Sequence, residues 1–238
     1  MSNAMKTSEG FFGSQRIKLI LEGFHIDSIL DQMLQRVEDW LECDDEGSTF
    51  IWLQGPPKSA EDHQNGMSLL AAKLTELAWE FKSTHEESMP LVSYFCSISS
   101  QDLREGNPSR EAEGVVSLVY AFLHQFLAAI HSFHSTDASK QSLLSALEQQ
   151  ISGLDGTVRT WSEALSAFDQ AARLVTPDTV CVIDGLHWLD GRDTDDLLSD
   201  LVRLLRKTSF RVLFTTSGTS GALLEHMNPE DCVEMDEE

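Results

Sequence analysis

The feature that most constrains this chain is a short apolar run followed by a loop bounded by glycines and a helix-forming segment. The apolar run is Phe50–Leu53, and it stops just before Gly55. A polar stretch then leads to Gly66 and Ser68, after which leucine and alanine dominate residues 69–74. Strand, loop and helix in this order are the plan of a phosphate-binding loop, in which backbone N–H groups at a helix N-terminus face the phosphates. The segment therefore predicts an α/β fold with a candidate site at the start of this helix.

This loop departs from the working sequence G-x-x-x-x-G-K-[ST] in two places. Ten residues, 56–65, separate Gly55 from Gly66 where four are normal. Met67 stands between Gly66 and Ser68, where the lysine that neutralises phosphate charge belongs. A thioether offers neither a positive charge nor a hydrogen-bond donor. The loop thus keeps the plan of a phosphate site without its principal positive charge.

Two other registers of this loop stay open. Without the insertion, residues 60–62 would stand at the signature position, but two of them are acidic and would repel a phosphate. Alternatively, Lys58 and Ser59 would fold back as a displaced lysine–serine pair, although a proline rather than a glycine precedes them. We favour the register that ends at Ser68 and keep Lys58 as a candidate substitute lysine.

A second apolar run, Val180–Ile183, ends directly at Asp184. A carboxylate at the end of such a strand is the Walker-B arrangement, in which it lies beside the phosphate loop and holds Mg²⁺ directly or through water. Ser68 and Asp184 are therefore the candidate magnesium ligands. A role for Asp184 as a strand-end turn residue is the alternative.

The residues after Asp184 offer no second carboxylate that would polarise an attacking water. Gly185 follows directly, and His187 and Trp188 stand three and four positions on. Asp190 is interpreted as a turn residue before the next helix. We therefore assign no catalytic residue.

A further strand is predicted over residues 209–215, and hydroxyl side chains cluster at its end. Thr216 is the residue that we expect to contact the γ-phosphate of a bound nucleotide at this position. A role in capping a loop is the alternative. Gly218 follows the cluster.

Composition limits the classes of partner. The chain has 39 acidic and 17 basic residues and a net charge of −22, so phosphate backbones and anionic membranes would be repelled. We expect no nucleic-acid and no membrane partner. No apolar window approaches the length of a membrane span and no secretory pattern opens the chain, which favours a cytoplasmic location. The cysteines form no C-x-x-C pair and the histidines no ligand set, so we expect both to be structural: Cys43, Cys96, Cys181, Cys232, His124, His131 and His134.

Strand and helix patterns alternate along the rest of the chain. They predict a three-layer α/β/α sandwich around a mostly parallel five-stranded sheet in the order 5-1-4-3-2. Residues 1–13 are expected to be a tag and a disordered lead, 14–48 a helical lead-in and 49–238 the core. The predicted strands lie near residues 50–53, 91–98, 180–184, 209–215 and 232–235. Two helices are predicted within residues 14–41, a short one and a longer one separated by a break at Gly23 and the pair Asp27–Ser28. Further helices are predicted near 68–82, 112–133, 139–151, 160–175 and 194–207.

These segments, in this order, resemble the nucleotide-binding domain of signal-transduction ATPases with numerous domains, and fungal-type NACHT domains in particular. The resemblance covers residues 15–238 and is carried by a helix ending at Trp40, Phe50–Leu53 before Gly55, the strand Ser93–Cys96, the segment Asp184–Asp190 and the strand end Leu213–Ser217. It implies the fold of P-loop NTPases. In that family, ATP exchange or hydrolysis switches a multidomain protein between closed and oligomeric signalling states.

The resemblance also shows what this chain lacks. The family's lysine is Met67, its second acid is missing, and the arginine that usually follows its threonine–serine pair is Gly218. Losing such groups commonly costs several kcal/mol of transition-state stabilisation, which indicates a pseudo-ATPase. If ATP or ADP binds with Mg²⁺, Gly55, Gly66 and the amides before Ser68 would meet the phosphates.

The leading hypothesis is a regulatory or scaffolding module with weak or no ATP binding and little or no hydrolysis. Its partners would be proteins or other domains of a longer polypeptide. Two alternatives remain at this point: a slow ATPase that uses Lys58 as a substitute lysine, and a pure protein-interaction domain with a collapsed nucleotide site.

Overall fold

The computed structural model describes residues 17–18, 20–21, 28–42, 49–57, 66–84, 90–96, 109–133, 138–176 and 178–234. The predictions for residues 1–13 and for Lys58 lie outside these described residues.

Strands and helices follow one another along the described chain as the sequence pattern predicts, with three helices in succession between the second and third strands. Their order is α1 Ser28–Glu42, β1 Phe50–Gly55, α2 Gly66–Thr84, β2 Leu91–Phe95, α3 Arg110–Phe133, α4 Ala138–Ser152, α5 Trp161–Leu174, β3 Val180–Asp184, α6 Asp195–Leu205, β4 Arg211–Ser217, α7 Gly221–His226 and β5 Cys232–Glu234. Single 3₁₀ turns span Val158–Thr160, Leu186–Leu189 and Pro229–Asp231. Helix α7 was not predicted, because its six residues are too few to show helical periodicity.

The five strands form one sheet in the order β2-β3-β4-β1-β5, and every neighbouring pair is parallel. This confirms the predicted three-layer fold and strand order, and the sheet is wholly rather than mostly parallel. Strands of a parallel sheet are covered on both faces, which is why they read as continuous apolar runs.

Each face of the sheet packs against its own layer of helices. Phe50 and Trp52 of β1 join the larger cluster, which α3, α5 and α6 cover. Ile51 and Leu53 point to the opposite face and pack in the cluster with α1 and α2. Alternate residues of one strand thus serve two cores, as the period of two in a strand requires.

Helix α3 is the central core helix of the larger layer. Contrary to the expectation that no apolar window approaches a membrane span, α3 is long and apolar enough over Arg110–His131 to pass for one by length and composition. In this fold 56% of that stretch is buried, and α3 packs against α5 and β2. Its apolar character is accounted for by the core of the domain.

The helical lead-in is packed onto the sheet rather than held apart from it. Ile17, Ile20, Val37 and Trp40 are buried in the same cluster as Leu53. The last turn of α1 contains no basic residue to satisfy its free carbonyl groups. Arg211 of β4 fills this role, because its Nη1 donates a hydrogen bond of 2.7 Å to the carbonyl oxygen of Trp40.

Replacing Arg211 with alanine should lower the free energy of unfolding by about 1–3 kcal/mol, because the carbonyl of Trp40 loses a charged donor. Equilibrium urea denaturation measures this loss. Arg203→Ala is the matched control, since Arg203 is exposed and, within the described residues, its ion pairs are long contacts of 4.0 and 3.9 Å with Asp200 and Glu225. Equal stabilities of the two variants would contradict the role given to Arg211.

Candidate functional site

The carboxyl ends of β1, β3 and β4 meet the first turn of α2 at one edge of the sheet. Asp184 ends β3 and is the register partner of Thr215, while Gly55 ends β1 and is the register partner of Ser217. Ser68 lies in the first turn of α2 and reaches this edge. Clefts at the carboxyl ends of parallel strands are where α/β proteins bind ligands.

The centre of this edge is a carboxylate held by two hydroxyls. The hydroxyl of Ser68 donates to Oδ2 of Asp184 at 2.7 Å, and the hydroxyl of Thr215 donates to Oδ1 at 2.7 Å. All three residues are buried, with Asp184 only 4% exposed. A buried carboxylate is costly unless it is hydrogen-bonded, so this network satisfies Asp184 and ties α2, β3 and β4 together.

The structure thus brings together the two predicted magnesium ligands, Ser68 and Asp184. A carboxylate and hydroxyls are oxygen ligands of the kind that Mg²⁺ prefers, so the donor chemistry fits this ion. In the described ranges no group of three or more His, Cys, Asp or Glu side chains lies together. A cation here would therefore need further ligands from water or from phosphate groups, as Mg²⁺ commonly has.

Met67 is buried in the apolar cluster of α1 and α2, with 5% of its surface exposed. Its side chain runs along Gly55, where an added Cβ would stand 2.8 Å from Cγ of Met67 and 3.3 Å from its Sδ and Cε. The absence of a side chain at Gly55 therefore leaves room for the side chain of Met67. Gly66 begins α2, is exposed, and has no described atom within 4 Å of the position of a Cβ. Met67 therefore contributes apolar packing at the start of α2 and supplies no charge.

Thr216 points to the opposite face of the sheet from Asp184. Its hydroxyl accepts a hydrogen bond from Nε1 of Trp52 at 2.8 Å and donates to the carbonyl oxygen of Gly218 at 2.7 Å. Strand alternation places Ser217, two residues beyond Thr215, on the face of Asp184. Ser217 is thus the hydroxyl residue at the end of β4 that lies on the side of the candidate site. The alternation of side chains along a strand could have identified it from the sequence, because Thr215 and Ser217 are two residues apart.

Gly218 links the segment after β4 to the segment after β1. Its N–H donates to the carbonyl oxygen of Gly55 at 2.8 Å, and its φ of +87° is left-handed. An added Cβ would lie 3.4 Å from Cα and Cβ of Pro57. An arginine at this position would be strained by the backbone conformation, which accounts for the glycine.

The segment after Asp184 is compact and aromatic. Gly185 has a φ of +74°, and an added Cβ would stand 2.8 Å from Cδ1 of Trp188. The rings of His187 and Trp188 lie 4.6 Å apart. Among the described residues neither buried ring nitrogen of His187 has a hydrogen-bond partner, and burial lowers the pKa of His187 to about 4. The imidazole is therefore neutral near pH 7, and neither side chain supplies a charge.

Asp190 joins the ends of β3 and β4 by capping α7. Its Oδ2 accepts from the N–H of Gly221 at 2.9 Å, and its Oδ1 accepts from the hydroxyl of Ser220 at 3.2 Å. Burial raises the pKa of Asp190, while these donors favour its charged form. Asp190 precedes α6 as predicted, but its hydrogen bonds are to the start of α7.

Cys96 lies against the same edge, because its N–H donates to the carbonyl oxygen of Asp184 at 2.8 Å. Burial, and then the nearby carboxylates of Asp184 and Asp190, raise the pKa of its thiol well above the usual value. Cys96, Cys181 and Cys232 are all free thiols. The thiol of Cys96 therefore stays protonated and acts as a packing group.

Comparison with family models identifies the family to which the chain belongs. The sequence model of the family described as "Nephrocystin 3, N-terminal" matches residues 29–217, which is more than half of the chain. The match runs from the first turn of α1 to the end of β4 and includes all three residues of the network around Asp184. No curated protein matches the chain.

Ser68→Ala and Thr215→Val should each lower the free energy of unfolding by about 1–3 kcal/mol, because each removes a hydroxyl donor from the buried carboxylate of Asp184. Since both act on one carboxylate, the double variant should depart from additivity by about 0.5 kcal/mol or more.

Urea denaturation of the four proteins in this cycle measures that coupling. Thr75→Val is the matched control, because the hydroxyl of Thr75 bonds to the carbonyl of Ala71 within α2. Its effect should add to that of Thr215→Val. Strict additivity of Ser68→Ala with Thr215→Val would contradict the network.

His187→Phe should change how stability depends on pH. The folded pKa of His187, about 4, lies below its usual 6.5. Its contribution to stability is therefore present above pH 6.5 and lost as the pH falls towards 4. The variant keeps a ring against Trp188 and loses this titration, so it should gain stability relative to the wild type at acid pH. Unfolding free energies at about pH 7.5 and about pH 4.5 test this, and a constant difference would refute it.

Proposed function

The chain belongs to the family of nephrocystin 3 N-terminal domains, and we propose that it is a degenerate nucleotide-binding module of the NACHT type. Its role is regulatory or scaffolding, within a signal-transduction protein. It binds ATP or ADP weakly or not at all, and it hydrolyses ATP little or not at all.

The observation that supports this proposal is that uncharged Met67 stands next in sequence to Ser68, which belongs to the network around Asp184. The network stands where a P-loop NTPase would place its magnesium site, at the start of the helix after β1. Met67 occupies the adjacent position, where a lysine would neutralise the phosphates, and it is packed along Gly55. These two observations support a triphosphate site that has lost, at this position, the lysine that neutralises phosphate charge.

Weak hydrolysis follows from the segment after Asp184. Gly185 carries no side chain, and the ring of His187, which packs beside Trp188, is a weak base because burial lowers its pKa to about 4. The carboxylate of Asp190 is engaged by Ser220 and Gly221. No group in this segment is therefore placed to activate water.

The partners that we propose are proteins or other domains of a longer polypeptide, in the cytoplasm. A net charge of −22 disfavours nucleic acid and anionic membranes. Oxygen ligands at Ser68 and Asp184 would hold Mg²⁺ if a nucleotide binds, and the amides that begin α2 would face its phosphates.

Calorimetric titration of ATP with Mg²⁺ into the wild type and Met67→Lys tests this function. The wild type should bind at most weakly. The lysine would follow the path of Met67 along Gly55 and supply a charged donor, so affinity should rise by about tenfold or more. Leu77→Lys is the matched control, because it adds the same charge to the same helix at an exposed position. The side chain of Leu77 is 46% exposed.

Two outcomes would overturn the proposal. The first is micromolar binding and turnover by the wild type that Lys58→Ala abolishes, which would establish the slow ATPase. The second is an equal gain of affinity in Met67→Lys and Leu77→Lys, which would mean that added charge acts without regard to this site. Circular dichroism spectra confirm that each variant is folded before it is titrated.

A further inference from the structure

Thr216 is fully buried at the end of β4, and its hydroxyl has two partners within the chain. Nε1 of Trp52 donates to this hydroxyl at 2.8 Å, and the hydroxyl donates its proton to the carbonyl oxygen of Gly218 at 2.7 Å. Both directions are fixed by chemistry, because an indole N–H can only donate and a carbonyl oxygen can only accept. A phosphate oxygen would need the same proton, so a contact between Thr216 and a phosphate would break the bond to Gly218.

Gly218 continues this connection to the start of the loop after β1. Its N–H donates to the carbonyl oxygen of Gly55 at 2.8 Å, while its own carbonyl oxygen accepts from Thr216. Its α-carbon also lies close to Pro57, since an added Cβ would stand 3.4 Å from Cα and Cβ of that residue. The position of Gly218 therefore limits where the chain can run as it leaves β1.

These three hydrogen bonds form a closed ring across two paired strands. Trp52 and Gly55 belong to β1, while Thr216 and Gly218 lie at and just beyond the end of β4. Trp52 is 1% exposed in the larger core, so its ring orients the hydroxyl of Thr216 from inside the domain. Loss of any one of these bonds would leave a buried polar group without its partner, which is why the ring holds one geometry.

We propose that Thr216 is a positioning residue for the candidate phosphate site. Through Gly218 it fixes residues 55–57, which begin the phosphate loop, and it acts on the ligand through them rather than by direct contact. This role in binding rests on the proposed nucleotide-binding function. The side chain of Met67 packs along Gly55, so a shift of Gly55 would also displace the side chain that stands at the position of the phosphate-binding lysine.

Hydrogen exchange of the Gly218 amide, followed by NMR, tests the positioning. Thr216→Val keeps the shape of the side chain and removes both of its hydrogen bonds. Exchange at Gly218 should then be about tenfold faster, although this amide takes part in neither of the two bonds removed. Thr216→Ser keeps the hydroxyl, so its Gly218 amide should exchange at the wild-type rate.

Thr75→Val is the matched control for a simple loss of stability. It makes the same change at another fully buried threonine, whose hydroxyl bonds to the carbonyl oxygen of Ala71 within α2. This variant should leave exchange at Gly218 unchanged. Equal rates at Gly218 in Thr216→Val and Thr75→Val would overturn the proposal.

Trp52→Phe is the second variant, for use if Thr216→Val does not fold. It removes the indole donor and keeps an aromatic ring in the core, so the hydroxyl of Thr216 loses the group that orients it. Exchange at Gly218 should rise by about threefold. A folded Trp52→Phe protein with the wild-type rate at Gly218 would show that the ring does not set this geometry, and the proposal would be wrong.

Titration of ATP with Mg²⁺ separates this proposal from the proposed function. In the Met67→Lys background, Thr216→Val should weaken ATP binding by about fivefold or more, and Thr216→Ser should restore the affinity. Equal affinities with and without Thr216→Val would mean that Thr216 does not position the site, which contradicts the proposal. If Met67→Lys alone binds no ATP, the proposed function fails, while exchange at Gly218 still decides whether Thr216 positions the loop.

Discussion

The structure at the candidate site depends on one buried carboxylate. Asp184 ends β3 in a place with almost no solvent, and an ionised group there is tolerated because Ser68 and Thr215 each donate a hydrogen bond to it. These two bonds fix the first turn of α2 and the end of β4 relative to β3. The neighbouring connections extend the same edge, since Gly218 bonds to Gly55. The carboxyl ends of three strands are thus held together by hydrogen bonds within the chain.

Much of this arrangement could be predicted from the sequence. Buried parallel strands are continuous apolar runs, so Val180–Ile183 and Phe50–Leu53 were found with their ends nearly correct. The rule that carboxyl ends of parallel strands meet at one edge then placed Ser68 near Asp184, and the structure brings them within hydrogen-bonding distance. Such inferences succeed because they depend on periodicity and on chain connectivity, which are local properties of a sequence.

The remainder depends on pairings that no local pattern encodes. The hydrogen bonds of Asp190 join it to residues about 30 positions on. Thr216 was predicted to contact a phosphate, but its hydroxyl bonds to Trp52 on the face of β4 opposite Asp184, because adjacent residues of a strand point to opposite faces. Lys58 lies outside the described residues, so its role as a substitute lysine stays a prediction. The sequence therefore predicted the helices and strands most accurately and the hydrogen-bond partners of side chains least accurately.

Our central claim is that an architecture for triphosphate binding persists here without the positive charge that would hold the ligand. Met67 packs along Gly55, and in the register that we favour it stands where a working phosphate loop has its lysine. A crystal structure of the domain grown with millimolar ATP and Mg²⁺ tests this claim most directly. We expect Asp184 still to accept hydrogen bonds from Ser68 and Thr215, with no ammonium group of this chain on a phosphate. ATP held at the start of α2 by a lysine of this chain would contradict the account.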